Sequence, residues 1–458
     1  MQIDQVRKWR EDVVASLWFV PSICAAAAVI LSFIVPEIDR WIERDLQPYR
    51  RWIFFGSASA ARTILSVIAG SLITVISLLF SITVLTLHQV AAQYTPRVIR
   101  NFTDDRMNQA VLGVYLATFL YSVLVMRRIR GDDSPGSESI PMLAITFAIL
   151  LAIVCLMMLV YFIHHSARAF QASNILTRVH RELLEQIATL YPAEIGEPLD
   201  PEDDDLDSFR RLHARGPSQT VVSDHAGFVR ALDDTGLAGV LEDAEWVIVL
   251  PRVGSFVQRG QPLVEVGGSA TPVGPRIERL LAAFVIDSER TMSQDAMFGI
   301  RQLVDVALKG LSPSIHDPTT AEQAISLLGD ALAELTRRPF PTRIRTVEHD
   351  NDGSSRRVTL WAARPVFADY VDEAFSQIRR VARDNLHVTL CLLDTLGLVA
   401  RHAMGPRADA IRDQVDEVLW YLDHATFSER DRRLIREHAN RVLREAGTVE
   451  VRASSGER

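Results

Sequence analysis

Four long stretches without charge occupy the N-terminal part of the sequence and restrict what the chain can fold into. Each is long enough to cross the hydrocarbon core of a bilayer, about 30 Å, as a helix of about 17–25 residues. A cleaved signal peptide does not explain the first stretch, because three similar ones follow it. The sequence therefore predicts four transmembrane helices, within Ser16–Val35, Ala61–Leu87 apart from Arg62, Gln109–Met126 and Ile140–His164.

These segments predict a multi-pass protein of the cell (inner) membrane whose first partner is the lipid bilayer. An even number of spans places both termini on one side. Basic residues mark the cytoplasmic side of a membrane protein, and the fourth stretch is followed by Arg168, Arg178 and Arg181. We therefore expect both termini in the cytoplasm.

Composition argues against several functional classes. The formal net charge of −8 disfavours nucleic acid as a partner, because such binding needs concentrated positive charge. The only lysines are Lys8 and Lys309, and neither belongs to a phosphate-binding Gly-Lys-Ser/Thr loop. The three cysteines form no metal-binding pattern. We expect no metal, no cofactor and no nucleic acid.

The second stretch carries small, hydroxyl and histidine side chains at helical spacing. At about 100° per residue they fall within an arc of about 80° on one helix face. Two explanations stay open: the residues pack against another helix, or they face water in a pore or translocation path. The residues of this stripe are Thr63, Ser66, Gly70, Thr74, Ser77, Ser81 and His88.

Beyond the membrane the chain changes in composition. An amphipathic pattern from Ser166 to about Leu190 is followed by a run of acidic residues with prolines, which is typical of a solvated linker. The sequence predicts a four-helix transmembrane domain (1–165), a helical extension and acidic linker (166–218), a small β module (219–270), a mainly helical soluble domain (271–450) and a disordered tail (451–458). The fold class is thus an α-helical membrane domain plus a soluble α/β region.

The predicted β module contains short β-type runs separated by glycine turns, at Trp246–Leu250, Ser255–Gln258 and Pro262–Val266. Its segment VGSFVQRGQPLVEV resembles one hairpin of a barrel-sandwich hybrid, the fold of biotinyl and lipoyl carriers. Carriers attach their cofactor to a hairpin lysine, and no lysine lies between Lys8 and Lys309. The module is therefore expected to be structural.

Two further groups of residues are candidate sites. Arg97 and Arg100 follow the second stretch and either bind an anion or lipid phosphate or pair with neighbouring aspartates. Asp317, followed by Pro318, is a candidate helix N-cap. The soluble part offers a possible polar ligand or interface cluster, made of Arg290, Thr291, Gln294, Asp295 and Asp317.

Several segments together resemble the DUF2254 family of predicted bacterial membrane proteins. They are FSITVLTLHQVAAQYTPRVIRNFTDDRMNQAVLGVYLATFLYS, YFIHHSARAFQ, ERTMSQDAMFGIRQLVDVALKGLSPSIHDPTTA and PVFADYVDEAF. Family members typically have Gly and Asn where this chain has Ser314 and His316. The resemblance implies the fold and a membrane location, and it supplies no reaction.

Two functions are compatible with these features. The first is an oligomeric channel or transport-type protein for an inorganic ion, with a soluble domain that gates or assembles it. The second is a non-transporting scaffold or sensor that binds a partner through its soluble domain. Enzyme activity is not expected, because Ser312, His316 and Asp317 do not form a triad by spacing alone. Charge within a span would favour transport, and the four predicted stretches contain none.

Overall fold

A computed structural model of the chain forms two units, Met1–Gln171 and Ala172–Arg458. The arginine pair Arg97 and Arg100, and most of the predicted acidic linker, lie outside the residues that the structure describes. Those residues are 18–42, 54, 56–93, 106–129, 140–169, 172–192, 206–212, 216–241, 245–268, 274–351 and 354–455.

The first unit contains four helices that are long and apolar enough to cross a membrane, which confirms the four predicted spans. The helix Arg106–Met126 contacts each of the other three. In its most apolar stretch 44% of the residues are buried, against 17% in the helix Ala58–Gln93. Within the described part of the chain, one broad face of the helix Ala58–Gln93 is therefore left uncovered. The helices are α1 (Phe19–Ile42), α2 (Ala58–Gln93), α3 (Arg106–Met126) and α4 (Met142–Ala169).

Buried polar side chains join α3 to α4 inside this unit. The Tyr115 hydroxyl donates to the backbone carbonyl of Cys155 over 2.7 Å, and the Tyr121 hydroxyl donates to that of Ala144 over 3.2 Å. The Cys155 thiol lies 3.4 Å from Oγ1 of Thr118. Because lipid offers no competing partner, hydrogen bonds of this kind hold apolar helices in one register.

Two of the candidate spans extend beyond the charge-free stretches of the sequence and include charged residues. The first candidate span runs to Asp39 and includes Glu37, and the second includes Arg62. Asp39 is buried and its carboxylate accepts a 2.9 Å hydrogen bond from the backbone N–H of Leu143 in the first turn of α4. The Arg62 guanidinium donates to the carbonyl of Ile129 over 2.8 Å. Both charges satisfy backbone groups at helix ends.

Replacing Asp39 should therefore destabilise the membrane unit. Asp39→Ala removes an acceptor for a free N–H of α4, and we expect a loss of about 1–2 kcal/mol in the free energy of unfolding. Glu37→Ala, at an exposed position of the same helix, is the control. Unfolding of the purified protein in detergent measures both variants. Equal stability of the two would contradict this role of Asp39.

The second unit contains two open β-sheets. The strands are β1 (Ser218–Val222), β2 (Gly227–Leu232), β3 (Trp246–Val249), β4 (Phe256–Val257), β5 (Pro262–Gly267), β6 (Phe284–Asp287), β7 (Ile344–Asn351) and β8 (Ser354–Ala362). The five-stranded sheet has the order β1-β5-β3-β8-β7, in which β3 and β8 are parallel, and the three-stranded sheet has the order β4-β2-β6. Buried valines and leucines, such as Val247, Val264 and Leu263, form their core.

The three predicted β runs form β3, β4 and β5, but the barrel-sandwich form is not confirmed. Both sheets are small and neither closes. Moreover, β6, β7 and β8 come from beyond residue 270 and complete the two sheets. The β strands are therefore shared between the predicted module and the predicted helical domain.

Helices make up the rest of this unit. Asp317 is the N-cap of its helix, as predicted, and its carboxylate accepts from the backbone N–H of Thr320 over 3.1 Å. The last helix continues through the predicted tail as far as Ser455. The helices are α5 (Ala172–Leu190), α6 (Leu206–Leu212), α7 (Asp234–Val240), α8 (Pro275–Ala282), α9 (Ala296–Gly310), α10 (Pro318–Thr336), α11 (Phe367–Ala382), α12 (Leu386–Ala400), α13 (Pro406–His424) and α14 (Glu429–Ser455).

Candidate functional sites

The stripe of the second span lies on the uncovered face of α2. All seven of its residues, Thr63, Ser66, Gly70, Thr74, Ser77, Ser81 and His88, are exposed in the single chain. The buried face of α2 instead presents Leu65, Leu72 and Leu79 to the other helices. Packing of the stripe against α1, α3 or α4 of the same chain therefore does not explain it.

The stripe occupies the middle of the exposed face. At about 100° per residue, large apolar side chains flank it on both sides, with Val67 and Leu78 on one and Ile73 and Phe80 on the other; these four are 46–65% exposed. Gly70 has no atom within 4 Å of the position that a Cβ would take. A shallow groove with small residues at its centre and larger ones at its edges is typical of close contact between membrane helices.

Four hydroxyl groups of the stripe are satisfied within the helix itself, those of Thr63, Thr74, Ser77 and Ser81. Thr74 donates to the carbonyl of Gly70 over 3.2 Å, Ser77 to that of Ile73 over 3.0 Å, and Ser81 to that of Ser77 over 2.8 Å. Such bonds to the preceding turn remove most of the cost of a hydroxyl in an apolar environment. The stripe can therefore face a second helix, and its oxygens keep lone pairs that can accept from water.

In the second unit, the partly buried Arg290 and the buried Asp295 form an ion pair at the start of α9. The guanidinium donates from Nε to Oδ2 over 2.6 Å and from Nη2 to Oδ1 over 3.2 Å. Oδ1 also accepts from the backbone N–H of Phe298 over 3.2 Å, which caps the helix. Burial raises the pKa of Asp295, although Arg290 and the helix N–H groups oppose this rise.

Gly254 packs directly on this ion pair. Its φ of +88° lies in the left-handed region that favours glycine, and its backbone N–H donates to the carbonyl of Val229 over 2.7 Å. A Cβ at this position would overlap Oδ2 of Asp295 and lie 2.8 Å from Nε of Arg290. The loop before β4 is thus fitted to the pair, and we call Gly254, Arg290 and Asp295 the clasp.

Of the remaining members of the predicted polar cluster, Thr291 and Gln294 lie in the same segment as Arg290 and Asp295 of the clasp, and Asp317 lies elsewhere. Gln294 accepts from the backbone N–H of Leu232 over 2.9 Å, and Thr291 lies 3.4 Å from Nε of Arg230, so both fasten β2 to the segment before α9. Asp317 caps α10 and does not join them. The structure therefore brings together four of the five residues and separates Asp317.

A cleft of about 550 Å³ opens beside the clasp. Its walls are the end of α5, the loop before β4, the segment before α9, the loop after β8 and the first turns of α11. Arg252 in one wall binds Asp369 in another over 2.9 Å. The cleft mixes charged, hydroxyl and apolar side chains, as small-molecule sites commonly do.

Two buried tyrosines line this cleft. The hydroxyls of Tyr191 and Tyr370 are 2.8 Å apart, and the residues are 5% and 1% exposed. Burial raises the pKa of both hydroxyls, so both keep their protons at neutral pH. Sequence reasoning did not single out either residue, because they are about 180 positions apart and become neighbours only through the fold.

The turn SPSIHDP does not form a triad. The Ser312 hydroxyl donates to the carbonyl of Lys309 over 2.6 Å, and both Asp317 oxygens bind Thr320. His316 has a φ of +49°, a conformation in which asparagine is several-fold enriched. Among the described residues, no group of three His, Cys, Asp or Glu side chains is placed to hold a metal ion.

Taken together, four spanning helices and a soluble α/β unit define a polytopic membrane protein. The chain belongs to the DUF2254 family, described as predicted membrane proteins, whose sequence profile matches residues 14–397. This confirms the resemblance seen in the sequence.

Similar proteins occur in mycobacteria. The chain is 29% identical over 449 residues to the uncharacterized proteins Rv1290c of Mycobacterium tuberculosis and Mb1321c of Mycobacterium bovis, covering 95% of this chain and 82% of each relative. No solved structure matches the chain.

Proposed function

We propose that copies of this protein associate in the membrane through the stripe of α2 and form an oligomeric channel or transport-type path. The observation that carries the proposal is the position of the stripe, at the centre of a face that none of the described helices of the same chain covers. Four spans are few for a path through one chain, so the path would lie between copies. The soluble unit would gate or assemble the complex.

The polar groups inside the bundle support a path between copies over one within a chain. The hydroxyls of Tyr115 and Tyr121 are engaged by carbonyls of α4, and Ser122 donates to the carbonyl of Thr118 over 2.8 Å. The two tyrosine hydroxyls hold α3 to α4, and the Ser122 hydroxyl is engaged within α3 itself. The stripe is a polar surface of the described spans that remains available to an inorganic ion.

The alternative is a non-transporting scaffold or sensor, and the cleft of the soluble unit favours it. In either case we propose that the protein is not an enzyme. Neither Ser312 nor Asp317 faces a partner that would activate it, since each binds the adjoining turn or helix start. The cell (inner) membrane as its location, cytoplasmic termini, and anion or lipid-phosphate binding by Arg97 and Arg100 also remain proposals.

Ion flux across liposomes tests the proposal. We expect Ser77→Leu with Ser81→Leu to abolish flux, because leucine removes the oxygens and narrows the path between copies. Ser71→Leu is the matched control, since Ser71 is an exposed serine of the same helix that lies outside the stripe and bonds its own helix.

The outcomes separate the two functions. No flux from a well-formed wild-type oligomer, over several ions and pH values, would overturn the channel in favour of the scaffold. Flux that survives the double substitution would show that the stripe does not line the path. Loss of the complex itself would assign the stripe to packing between copies.

A further inference from the structure

The cleft of the soluble unit has no part in the proposed path, and it has the features of a ligand site. Its volume of about 550 Å³ is within the range of small-molecule sites, about 300–1,000 Å³. It also lies where six separate segments of the chain converge. A ligand there would contact both β-sheet loops and helix ends at once.

Its charges favour a cation. Three arginines and five carboxylates line the cleft, and two of the arginines are already paired, Arg290 with Asp295 and Arg252 with Asp369. On α11, Asp372 is exposed; its carboxylate accepts a hydrogen bond from the neutral hydroxyl of Ser376 and shares the charge of Arg379 with Glu417. Glu373 shares Arg301 with a second carboxylate, that of Asp305. The wall formed by α11 therefore carries excess negative charge.

The tyrosine pair favours a hydrogen-bond acceptor on the same ligand. In the contact between Tyr191 and Tyr370 one hydroxyl donates and the other accepts. The accepting hydroxyl still has its own hydrogen to donate, and a buried donor is costly to leave unpaired. An oxygen of a ligand in the cleft would satisfy it.

We propose that the cleft binds a small organic amine that also carries a hydrogen-bond acceptor. Its ammonium group contacts Asp372 and Glu373, its acceptor oxygen receives the spare hydrogen of the tyrosine pair, and its apolar part lies against Leu190 and Met297. A divalent cation fits less well, since the described residues offer no group of three metal-ligating side chains. This inference is independent of the oligomeric path.

Binding to the full-length protein in detergent tests the proposal by calorimetry. The probe is 2-amino-1-phenylethanol, and the comparators are 1-phenylethanol, which lacks the amine, and inorganic phosphate. We expect only the amine to bind. Asp372→Asn with Glu373→Gln should weaken binding at least about tenfold, because the two substitutions remove the negative charges that face the ammonium. Of Tyr191→Phe and Tyr370→Phe, the one that removes the donating hydroxyl should weaken binding about threefold to tenfold, because the ligand oxygen loses a hydrogen bond.

A matched pair controls for the change of charge. Asp413→Asn with Asp416→Asn removes two exposed carboxylates of α13, outside the cleft, and should leave binding unchanged. Thermal unfolding checks that each variant is folded, and Asp372→Asn alone, at an exposed position, replaces the double variant if that one is not. Absence of amine binding, preference for phosphate or the neutral alcohol, or equal loss in the α13 variant would each overturn the proposal.

Discussion

Gly70→Leu is expected to abolish self-association while leaving the four-helix unit folded. Within one chain the new side chain meets open space, since no atom lies within 4 Å of the Cβ position. Leucine is also a better helix former than glycine by roughly 0.5–1 kcal/mol. Between copies, however, the same side chain would fill the groove at the centre of the stripe. We expect the dissociation constant of the complex to rise more than about tenfold.

Gly113 provides the matched comparison. It lies on α3, and a Cβ there would be 3.0 Å from Sγ of Cys24 and 3.2 Å from the backbone Cα of Pro21 in α1. Gly113→Leu should therefore destabilise the bundle itself, by about 1–3 kcal/mol or more. Native mass spectrometry measures the complex, and unfolding in detergent measures the fold. A Gly70→Leu variant that keeps the wild-type oligomer would contradict contact through the stripe.

Gly254→Ala is expected to cause the largest loss of stability in the soluble unit. The methyl group would displace Oδ2 of Asp295, which holds the ion pair with Arg290 and belongs to the N-cap of α9. A left-handed alanine costs of order 1–3 kcal/mol, and disturbing a partly buried ion pair adds to it. We expect a total loss of roughly 3 kcal/mol or more.

Gly260→Ala separates the two contributions. Gly260 has almost the same backbone conformation, with a φ of +83°, but nothing lies within 4 Å of its Cβ position. It should therefore show only the conformational cost, about 1 kcal/mol. Thermal unfolding of the full-length variants compares them. Equal destabilisation at both positions would show that the clasp does not depend on close contact with Gly254.

Local features of this chain were predictable from its sequence. Hydropathy alone identified the four spans, and the Asp-Pro pair at Asp317 identified a helix start, because both signals depend on residues close together in the chain. The sequence places Asp39 outside the first predicted span, because a stretch defined by the absence of charge ends before the first charged residue. In the fold the helix continues past Asp39, and the Asp39 carboxylate accepts from a backbone N–H at the start of α4.

Long-range features were not predictable in this way. The parallel pairing of β3 with β8 joins strands about 110 positions apart, so the β module could not be delimited from its own segment. The stripe was visible as a pattern, but whether a helix covers it depends on the packing of α2 against α3. The polar face of α3 was missed, although the spacing of Tyr115, Thr118 and Ser122 by three and four positions is a helical signal.

Cysteine cross-linking in native membranes tests the central claim most directly. In a chain whose three cysteines are replaced by alanine, Ser77→Cys places a thiol at the centre of the stripe. Val160→Cys, which is 63% exposed on α4, is the control at a similar distance along its helix. A disulfide forms only where two Cα atoms approach within about 7 Å. Association through α2 predicts that mild oxidation links copies carrying Ser77→Cys and not those carrying Val160→Cys. Cross-linking through Val160→Cys alone, or through neither, would contradict it.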